Sequence, residues 1–90
     1  MKKRIKGYEN YSISDNGIVT NENTGKTIKP CNNGRDYLYV KLGSKSPHFY
    51  VHRLVAEHFI PNIYNYNEID HINGIKSDNS IDNLRWCSHK

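Results

Sequence analysis

Closely spaced turn signals divide the first half of the chain into segments that are too short for helices. Turns built on Asn, Asp, Ser and Gly recur roughly every ten residues, at 15–17, 23–26, 32–34 and 43–47. These residues adopt the backbone conformations that tight hairpin turns need. The intervening runs are rich in Tyr, Ile, Val and Thr, which predicts strands at 11–14, 18–21, 27–29, 37–42 and 48–51. We therefore expect a small N-terminal antiparallel β-sheet in which consecutive strands form a meander.

At Val51 the spacing of the large side chains changes from the period of a strand to that of a helix. From there they recur at intervals of three and four residues: Val51, Leu54, Val55, His58 and Phe59. This spacing places them on one face of a helix, and Pro61 cannot continue that helix. We predict a linking helix over 51–61 that packs on the sheet, so the fold class is α+β.

The last third of the chain combines short apolar runs with a long polar loop. A polar connector at 62–67 leads to Ile69 and Ile72, and a second apolar run follows at 84–87. The pattern predicts a hairpin of two short strands joined by a loop rich in Asn and Asp. The pair Asp70-His71 lies where the first of these strands meets the loop.

Length and charge narrow the classes of function. Ninety residues suffice for one small domain, so TIM barrels, doubly wound sheets and other large catalytic folds are excluded. The formal net charge of +4 favours a polyanionic partner, most simply nucleic acid. Neither a membrane-spanning apolar run nor a signal peptide is evident, so we expect a cytoplasmic protein without a membrane partner.

The cysteines and most histidines lack the spacing of a metal site. Cys31 and Cys87 lie far apart without a Cys-x-x-Cys motif, so we expect two reduced thiols and no zinc. His48, His52 and His58 form no His-Glu-x-x-His arrangement and have no Cys partner. We interpret these three as histidines at the edge of the core or on the surface.

One predicted strand has two faces of different chemistry. The first is apolar and is predicted to lie in the core: Leu38, Val40 and Leu42. The second interleaves aromatic and cationic side chains: Arg35, Tyr37, Tyr39 and Lys41. Such a face suits phosphates and bases, although an ordinary solvated sheet face has the same composition. The basic N-terminus adds further candidates for DNA contacts: Lys2, Lys3 and Arg4.

The pair Asp70-His71 offers the chemistry of metal-assisted hydrolysis. A carboxylate oxygen is the ligand that a hard divalent cation prefers, and a neutral imidazole accepts a proton near neutral pH. Together they can promote attack of water on a phosphodiester. The dipeptide alone is a weak signal, because Asp-His pairs occur in many proteins.

Longer motifs surround this pair. Asp-His-Ile-Asn-Gly occupies 70–74 and Asn-Leu-Arg-Trp occupies 83–86, while a helical segment at 51–62 and a segment with Tyr-Ser-Ile-Ser and Gly17 at 7–17 precede them. Together these motifs resemble the HNH homing endonucleases of phages, and the resemblance spans nearly the whole chain. It implies a DNA-binding protein that hydrolyses a phosphodiester of double-stranded DNA, nicking one strand with one Mg²⁺ or Mn²⁺ ion. It also implies a β-rich DNA-binding module at 1–50, the linking helix at 51–61, and a partial HNH motif of the ββα-metal type at 62–90.

The resemblance implies a role for each residue of the motif. Asp70 would be the metal ligand and His71 the general base. Asn83 would pin the long loop through hydrogen bonds and thereby orient His71. Arg85 would approach the scissile phosphate, or else be solvated or salt-bridged. Leu84 and Trp86 are interpreted as core residues rather than contacts.

One departure from the family pattern leaves other functions open. In the family a helix follows the two strands and carries a last ligand, which by spacing would fall just after Lys90, so we expect the metal site to be incomplete. His89 is the nearby substitute, although it lies about one helical turn early. The alternatives are an inactive relative that binds DNA or a protein, a homodimer whose subunits complete each other's sites, and, least favoured, a structural zinc module.

Overall fold

The computed structural model describes residues 1–88, and the first fifty of these form two antiparallel sheets. The four-stranded sheet comprises β1 (Lys2–Ile5), β2 (Tyr8–Ser14), β3 (Val19–Asn21) and β4 (Lys26–Thr27), hydrogen-bonded in that order. The three-stranded sheet comprises β5 (Cys31–Asn32), β6 (Leu38–Lys41) and β7 (His48–Tyr50). The antiparallel pairing is as predicted, but the expectation of one continuous meander is wrong.

The break between the sheets follows from the backbone around Pro30. Ile28 still donates to the carbonyl of Val19, 2.8 Å away, so the first sheet ends beside that residue. Pro30 has no N–H with which to extend a ladder, and the pairing resumes only at Cys31. The second sheet is therefore a separate unit, closed by pairing of Cys31 with Tyr39 and of Tyr39 with Tyr50.

The linking helix forms where its apolar spacing predicts. The helix α1 (Val51–Phe59) ends two residues before Pro61, and the N–H of Ile60 closes its last turn on the carbonyl of Ala56. Val51, Leu54 and Val55 are buried along one face, and His52 and Ala56 beside that face are buried as well. His58 is fixed at the C-terminal end, where Nδ1 lies 2.8 Å from the Leu54 carbonyl and Nε2 accepts the Lys6 N–H.

The C-terminal hairpin is also as predicted. It consists of β8 (Glu68–His71) and β9 (Leu84–Cys87), with a short 3-10 helix at Ile81–Asn83 before the second strand. Leu84 is 4% exposed, and the indole N–H of Trp86 donates to the carbonyl of Ile60 at 3.0 Å. These contacts attach the hairpin to the helix. The expected helix after β9, and His89, lie outside the described residues.

One hydrophobic core joins all these elements. Side chains from both sheets, the helix and the hairpin contribute to it: Ile5, Ile13, Val19, Val40, Leu42, Val51, Leu54, Val55 and Leu84. Burial of Val40 and Leu42 agrees with the alternation predicted for that strand. Within residues 1–88 no helix is long and apolar enough to cross a membrane.

Candidate active site

Asp70 and His71 are neighbours on β8 whose side chains lie on opposite faces of the hairpin. His71 is 7% exposed, whereas the side chain of Asp70 is 42% exposed. The alternation of a strand produces this separation, because successive side chains point to opposite faces. The carboxylate of Asp70 is therefore solvent-exposed, whereas the imidazole of His71 is buried.

The imidazole of His71 is held by an amide that the sequence did not single out. Nε2 lies 2.8 Å from Oδ1 of Asn79, whose side chain is 5% exposed. An amide oxygen only accepts hydrogen bonds, so Nε2 carries a proton, and in the neutral form of the ring the lone pair lies on Nδ1. Nδ1 of His71 has no hydrogen-bond partner within residues 1–88.

The long loop between the strands is fixed by Asn83. Its Oδ1 accepts the N–H of Asn73 at 3.0 Å, and its Nδ2 donates to the carbonyl of Asp78 at 2.8 Å. The carbonyl of Asn83 also accepts the N–H of Ile72. Asn83 thus makes hydrogen bonds to three residues of the loop. The side chain of His71, however, donates its hydrogen bond to Asn79, so any orienting effect of Asn83 is indirect.

The carboxylate of Asp78 accepts hydrogen bonds from other residues of the same loop. The Ser80 hydroxyl donates to Oδ1 and the Asn73 side chain donates to Oδ2, each at 3.0 Å. These bonds, the one from Ser80 above all, hold the pKa of the Asp78 carboxyl below its usual range. The group is therefore an anion near neutral pH, and it serves as an internal acceptor of the loop.

Asp70 is paired with Arg85 across the hairpin. Nη2 and Nε of Arg85 lie 2.8 and 3.0 Å from Oδ2 of Asp70, so the salt-bridged alternative for Arg85 is the one observed. Oδ1 accepts no hydrogen bond from the residues that the structure describes. No group of three or more His, Cys, Asp or Glu side chains within residues 1–88 could hold a metal ion. Asp70 is thus a solitary carboxylate with one oxygen available.

His52 lies beside His71 in the buried half of the site. The two ring centroids are 5.2 Å apart, and His52 is 8% exposed. Burial, aided by the nearby His71 and Arg53, lowers the pKa of His52 to about 4, so the ring is neutral at physiological pH. Its Nδ1 is the buried side-chain atom without a hydrogen-bond partner in the described chain. The assignment of His52 to the edge of the core is consistent with this burial.

Tyr37 was expected on an outward sheet face but is half-buried in this cluster. Its ring centroid lies 5.3 Å from that of His52 and 6.0 Å from that of His71. The ammonium of Lys76 lies 4.8 Å from the same ring. Arg35 is exposed nearby, where it lines an open groove of about 340 Å³ with Tyr37, Tyr50, His52 and Arg53. Of the candidate DNA contacts, Arg35 and Tyr37 thus adjoin the site.

The other candidates from the same strand lie on its surface with local partners. Tyr39 is stacked on His48, with ring centroids 4.3 Å apart and planes inclined by 22°. Lys41 is exposed, and its Nζ lies 3.5 Å from the carbonyl of Ser44. Both side chains remain accessible on the surface of the second sheet.

The N-terminal cations make contacts away from His71. Lys2 forms an ion pair with Glu22 at 2.8 Å. Nζ of Lys3 donates to the carbonyl of His58, at the end of α1 opposite to His52, and Arg4 donates to the carbonyl of Glu9. The structure therefore divides the predicted basic residues into a group beside the imidazole cluster and a group with structural contacts elsewhere.

Comparison with known proteins assigns the two halves of the chain to two different motifs. Residues 3–43 match the family model of the NUMOD4 motif, and residues 49–90 match that of an HNH endonuclease. The chain is 41% identical over 91 residues to the DNA endonuclease I-HmuI of Bacillus phage SP01, covering 98% of this chain and 52% of that protein. It is 34% identical over 88 residues to an uncharacterized HNH endonuclease of Acanthamoeba polyphaga mimivirus, covering 96% of this chain and 27% of that protein.

The fold is also that of a solved structure. A structure described as DNA binding and cleavage by the HNH homing endonuclease I-HmuI matches with a TM-score of 0.85 and 38% identity, over 98% of this chain and 52% of that one. The chain thus spans about half the length of I-HmuI and less of the mimivirus protein. The chain thus joins a NUMOD4 motif to a segment of the HNH endonuclease family, with the backbone fold of a solved HNH homing endonuclease.

Proposed function

We propose that this chain binds double-stranded DNA and nicks it by metal-dependent hydrolysis of a phosphodiester. The observation that carries the proposal is the geometry of His71, whose Nε2 is hydrogen-bonded to Asn79 while Nδ1 has no partner among the described residues. Such a group can take a proton from water, and the solvent-facing Asp70 belongs to the same end of β8. The similarity to I-HmuI, an endonuclease whose structure is one of DNA binding and cleavage, supports the same assignment.

Asp70 is the residue that would hold the metal ion. A hard cation such as Mg²⁺ or Mn²⁺ is bound by carboxylate, phosphate and water oxygens, and Oδ1 of Asp70 is free of hydrogen bonds from described residues. The donor type fits a divalent ion, while a single carboxylate leaves the remaining positions to phosphate, water or further ligands. When bound, the ion supplies stabilisation of negative charge on the phosphodiester oxygens.

The chain's own residues accept the proton and position the reacting groups. His71 accepts the proton of the attacking water at Nδ1, while Asn83 keeps the loop beside it closed. Arg85 places a cation next to Asp70 on the solvent-facing side of the hairpin, where a DNA phosphate can be reached.

We further propose that residues 1–50 supply much of the DNA contact. Arg35 and Tyr37 combine a guanidinium with an aromatic ring at the border of the site, and Tyr39 and Lys41 extend this surface along β6. Because DNA is the substrate, we place the action of the protein in the cytoplasm of a phage-infected or bacterial cell.

An inactive DNA-binding relative is the second candidate. It is favoured by one specific observation, the pairing of Oδ2 of Asp70 with Arg85, which places a cation beside the one carboxylate proposed to hold the metal ion. This candidate predicts binding to DNA that weakens with salt, without cleavage.

Conversion of supercoiled plasmid to the open-circular form tests the proposal. We expect nicking with Mg²⁺ or Mn²⁺ that stops on addition of a chelator. His71→Ala should abolish nicking but retain DNA binding, because the imidazole is a buried proton acceptor rather than a surface contact. A wild-type chain that binds DNA but remains inert with every divalent ion tried would favour the inactive relative. Equal nicking by His71→Ala would remove the role of His71.

A further inference from the structure

The turn at 15–17, between β2 and β3, lies directly against the loop that carries Asn79. The carbonyl of Asp15 accepts the N–H of Ile81 at 2.8 Å. A side-chain carbon at Gly17 would lie 3.2 Å from Cβ of Asn79, 3.3 Å from its carbonyl oxygen and 3.5 Å from Cγ1 of Val51. The backbone of the turn therefore forms one wall of the space that Asn79 occupies.

Two features of position 17 favour glycine: the backbone is in the left-handed region, and Asn79 lies close to the Cα atom. Its φ is +85°, a conformation that residues with a side chain adopt at a cost. Gly7 has nearly the same φ, +84°, but an added carbon there would meet nothing within 4 Å. Comparing the two glycines separates the effect of backbone strain from that of steric contact, because only Gly17 has both the left-handed backbone and the contact with Asn79.

The turn itself is held in place by hydrogen bonds. The N–H of Gly17 donates to the carbonyl of Ser14 at 3.0 Å, and the Ser14 hydroxyl oxygen accepts the N–H of Ile18 at 2.9 Å. Asp15 is also fixed, since its N–H donates to the carbonyl of Met1 at 3.0 Å. The wall against Asn79 is consequently part of the first sheet rather than a free loop.

The position of Asn79 in turn determines the position of the His71 imidazole. Its buried Oδ1 accepts the Nε2–H of His71, which sets the neutral tautomer with the lone pair on Nδ1. Movement of Asn79 by a few tenths of an ångström would lengthen or misalign this bond. We propose that Asn79 is a positioning residue for His71, and that the turn at 15–17 holds Asn79 in place, so that the N-terminal sheet takes part in the chemistry as well as in DNA contact. The catalytic consequence rests on the function proposed above for His71.

Nitrogen NMR of the imidazoles tests the positioning of His71 by Asn79, and it does not require the protein to cleave DNA. In protein labelled with ¹⁵N histidine, at a pH where imidazoles are neutral, long-range proton–nitrogen correlations distinguish the two tautomers. We expect His71 to be the Nε2–H tautomer in the wild type and a mixture in Asn79→Ala. Asn79→Asp should restore the Nε2–H form, because a carboxylate oxygen also accepts. A wild-type chain with the proton on Nδ1, or an unchanged His71 in Asn79→Ala, would overturn the proposal.

The two glycines provide a matched pair of variants. Gly17→Ala and Gly7→Ala introduce the same backbone strain, so similar losses of stability are expected from that source. Only Gly17→Ala should shift the His71 resonances, because only there does the new methyl group press on Asn79. If both variants leave His71 unchanged, or both shift it equally, the turn has no positioning role.

Kinetics extend the test to catalysis. We expect Gly17→Ala and Asn79→Ala to lower kcat for nicking on the order of 10- to 100-fold with little change in KM, since a small misplacement of a catalytic group is costly. Gly7→Ala should keep the kcat of the wild type. If the wild type does not nick DNA, the proposed function fails while the NMR result still decides the placement of His71. Nicking by Gly17→Ala at the rate of Gly7→Ala would overturn the catalytic part.

Discussion

Asp70 and Arg85 lie directly opposite each other in the hairpin, and both Nε and Nη2 of Arg85 contact the same carboxylate oxygen of Asp70, at 3.0 and 2.8 Å. The pair is solvent-exposed, with 63% of the Arg85 side chain and 42% of the Asp70 side chain accessible. An exposed pair of this kind contributes little to stability. Its main effect is electrostatic, because a cation sits beside the carboxylate proposed to bind a metal ion.

Replacement of Arg85 by alanine should therefore change metal binding more than stability. We expect the free energy of unfolding in urea to fall by less than about 1 kcal/mol. At saturating DNA, the Mn²⁺ concentration that gives half-maximal nicking should fall, because loss of the guanidinium makes Asp70 a better ligand for a cation. Asp70→Asn should raise that concentration or abolish nicking. A higher Mn²⁺ requirement in Arg85→Ala would contradict this account.

Removal of the Asn83 side chain should open the long loop. The change to alanine leaves the N–H of Asn73 and the carbonyl of Asp78 without their partner at a position that is 7% exposed. We expect a loss of about 2 to 3 kcal/mol in the free energy of unfolding, together with loss of nicking. Asn10→Ala, at an exposed position of β2, is the control and should cost less than about 1 kcal/mol. Equal losses from the two variants would rule out a special role for Asn83 in stability.

The sequence was sufficient for the elements whose hydrophobic pattern is local. The spacing of Val51, Leu54 and Val55 places α1, and the alternation of Val40 and Leu42 identifies the inward face of β6. In both cases one element buries one stripe of its own side chains. Such a pattern can be recognised before any partner is known.

The parts that were missed depend on distant partners. The strand β1 has only Ile5 buried and is formed by pairing with β2, so no alternation indicates it. The contact of Asn79 with His71 depends on the course of a loop in which several Asn and Asp residues have similar chemistry. The run of Asn and Asp was the available signal, but only the folded structure, in which Gly17 lies against Asn79, distinguishes Asn79 from its neighbours.

Burial of His52 should make the fold sensitive to acid. Its pKa is lowered to about 4 in the folded protein, chiefly by burial and further by His71 and Arg53, whereas the unfolded chain has the ordinary pKa of 6.5. The unfolded state therefore binds a proton first as the pH falls below 6.5, and stability is lost down to about pH 4. Above pH 6.5 both states are neutral at this position and the contribution is complete.

His52→Phe should reduce this acid sensitivity. We expect the fall in unfolding free energy between pH 7 and pH 5 to be smaller in the variant by up to about 2 kcal/mol. The rings of Tyr37, Tyr50 and His71 around this position accommodate another aromatic group. His48→Gln, at an exposed position, should keep the wild-type pH dependence. An identical pH dependence in His52→Phe and the wild type would exclude His52 as the source.

Arg35 and Lys2 provide a contrast between two cations that sequence alone treats alike. Arg35 is exposed at a groove beside the His52 ring. Lys2 instead pairs with Glu22, and the pKa of that carboxyl is held below its usual range first by Lys2 and then by Ser12. The charge of Lys2 is thus partly compensated within the protein, while Arg35 is placed to meet a phosphate near the imidazole cluster.

The dependence of DNA affinity on salt should reveal this difference. Each neutralised phosphate contributes about 0.9 to the slope of log affinity against log salt concentration, through release of counterions. We expect Arg35→Gln to reduce the slope by close to one such contact and to weaken binding at low salt. Lys2→Gln removes a cation whose field is offset by Glu22, so the slope should change by much less. Because both variants remove one positive charge, net charge cannot explain a difference between them. A larger loss of slope in Lys2→Gln would place the DNA on the N-terminal strand instead of at the groove that Arg35 lines.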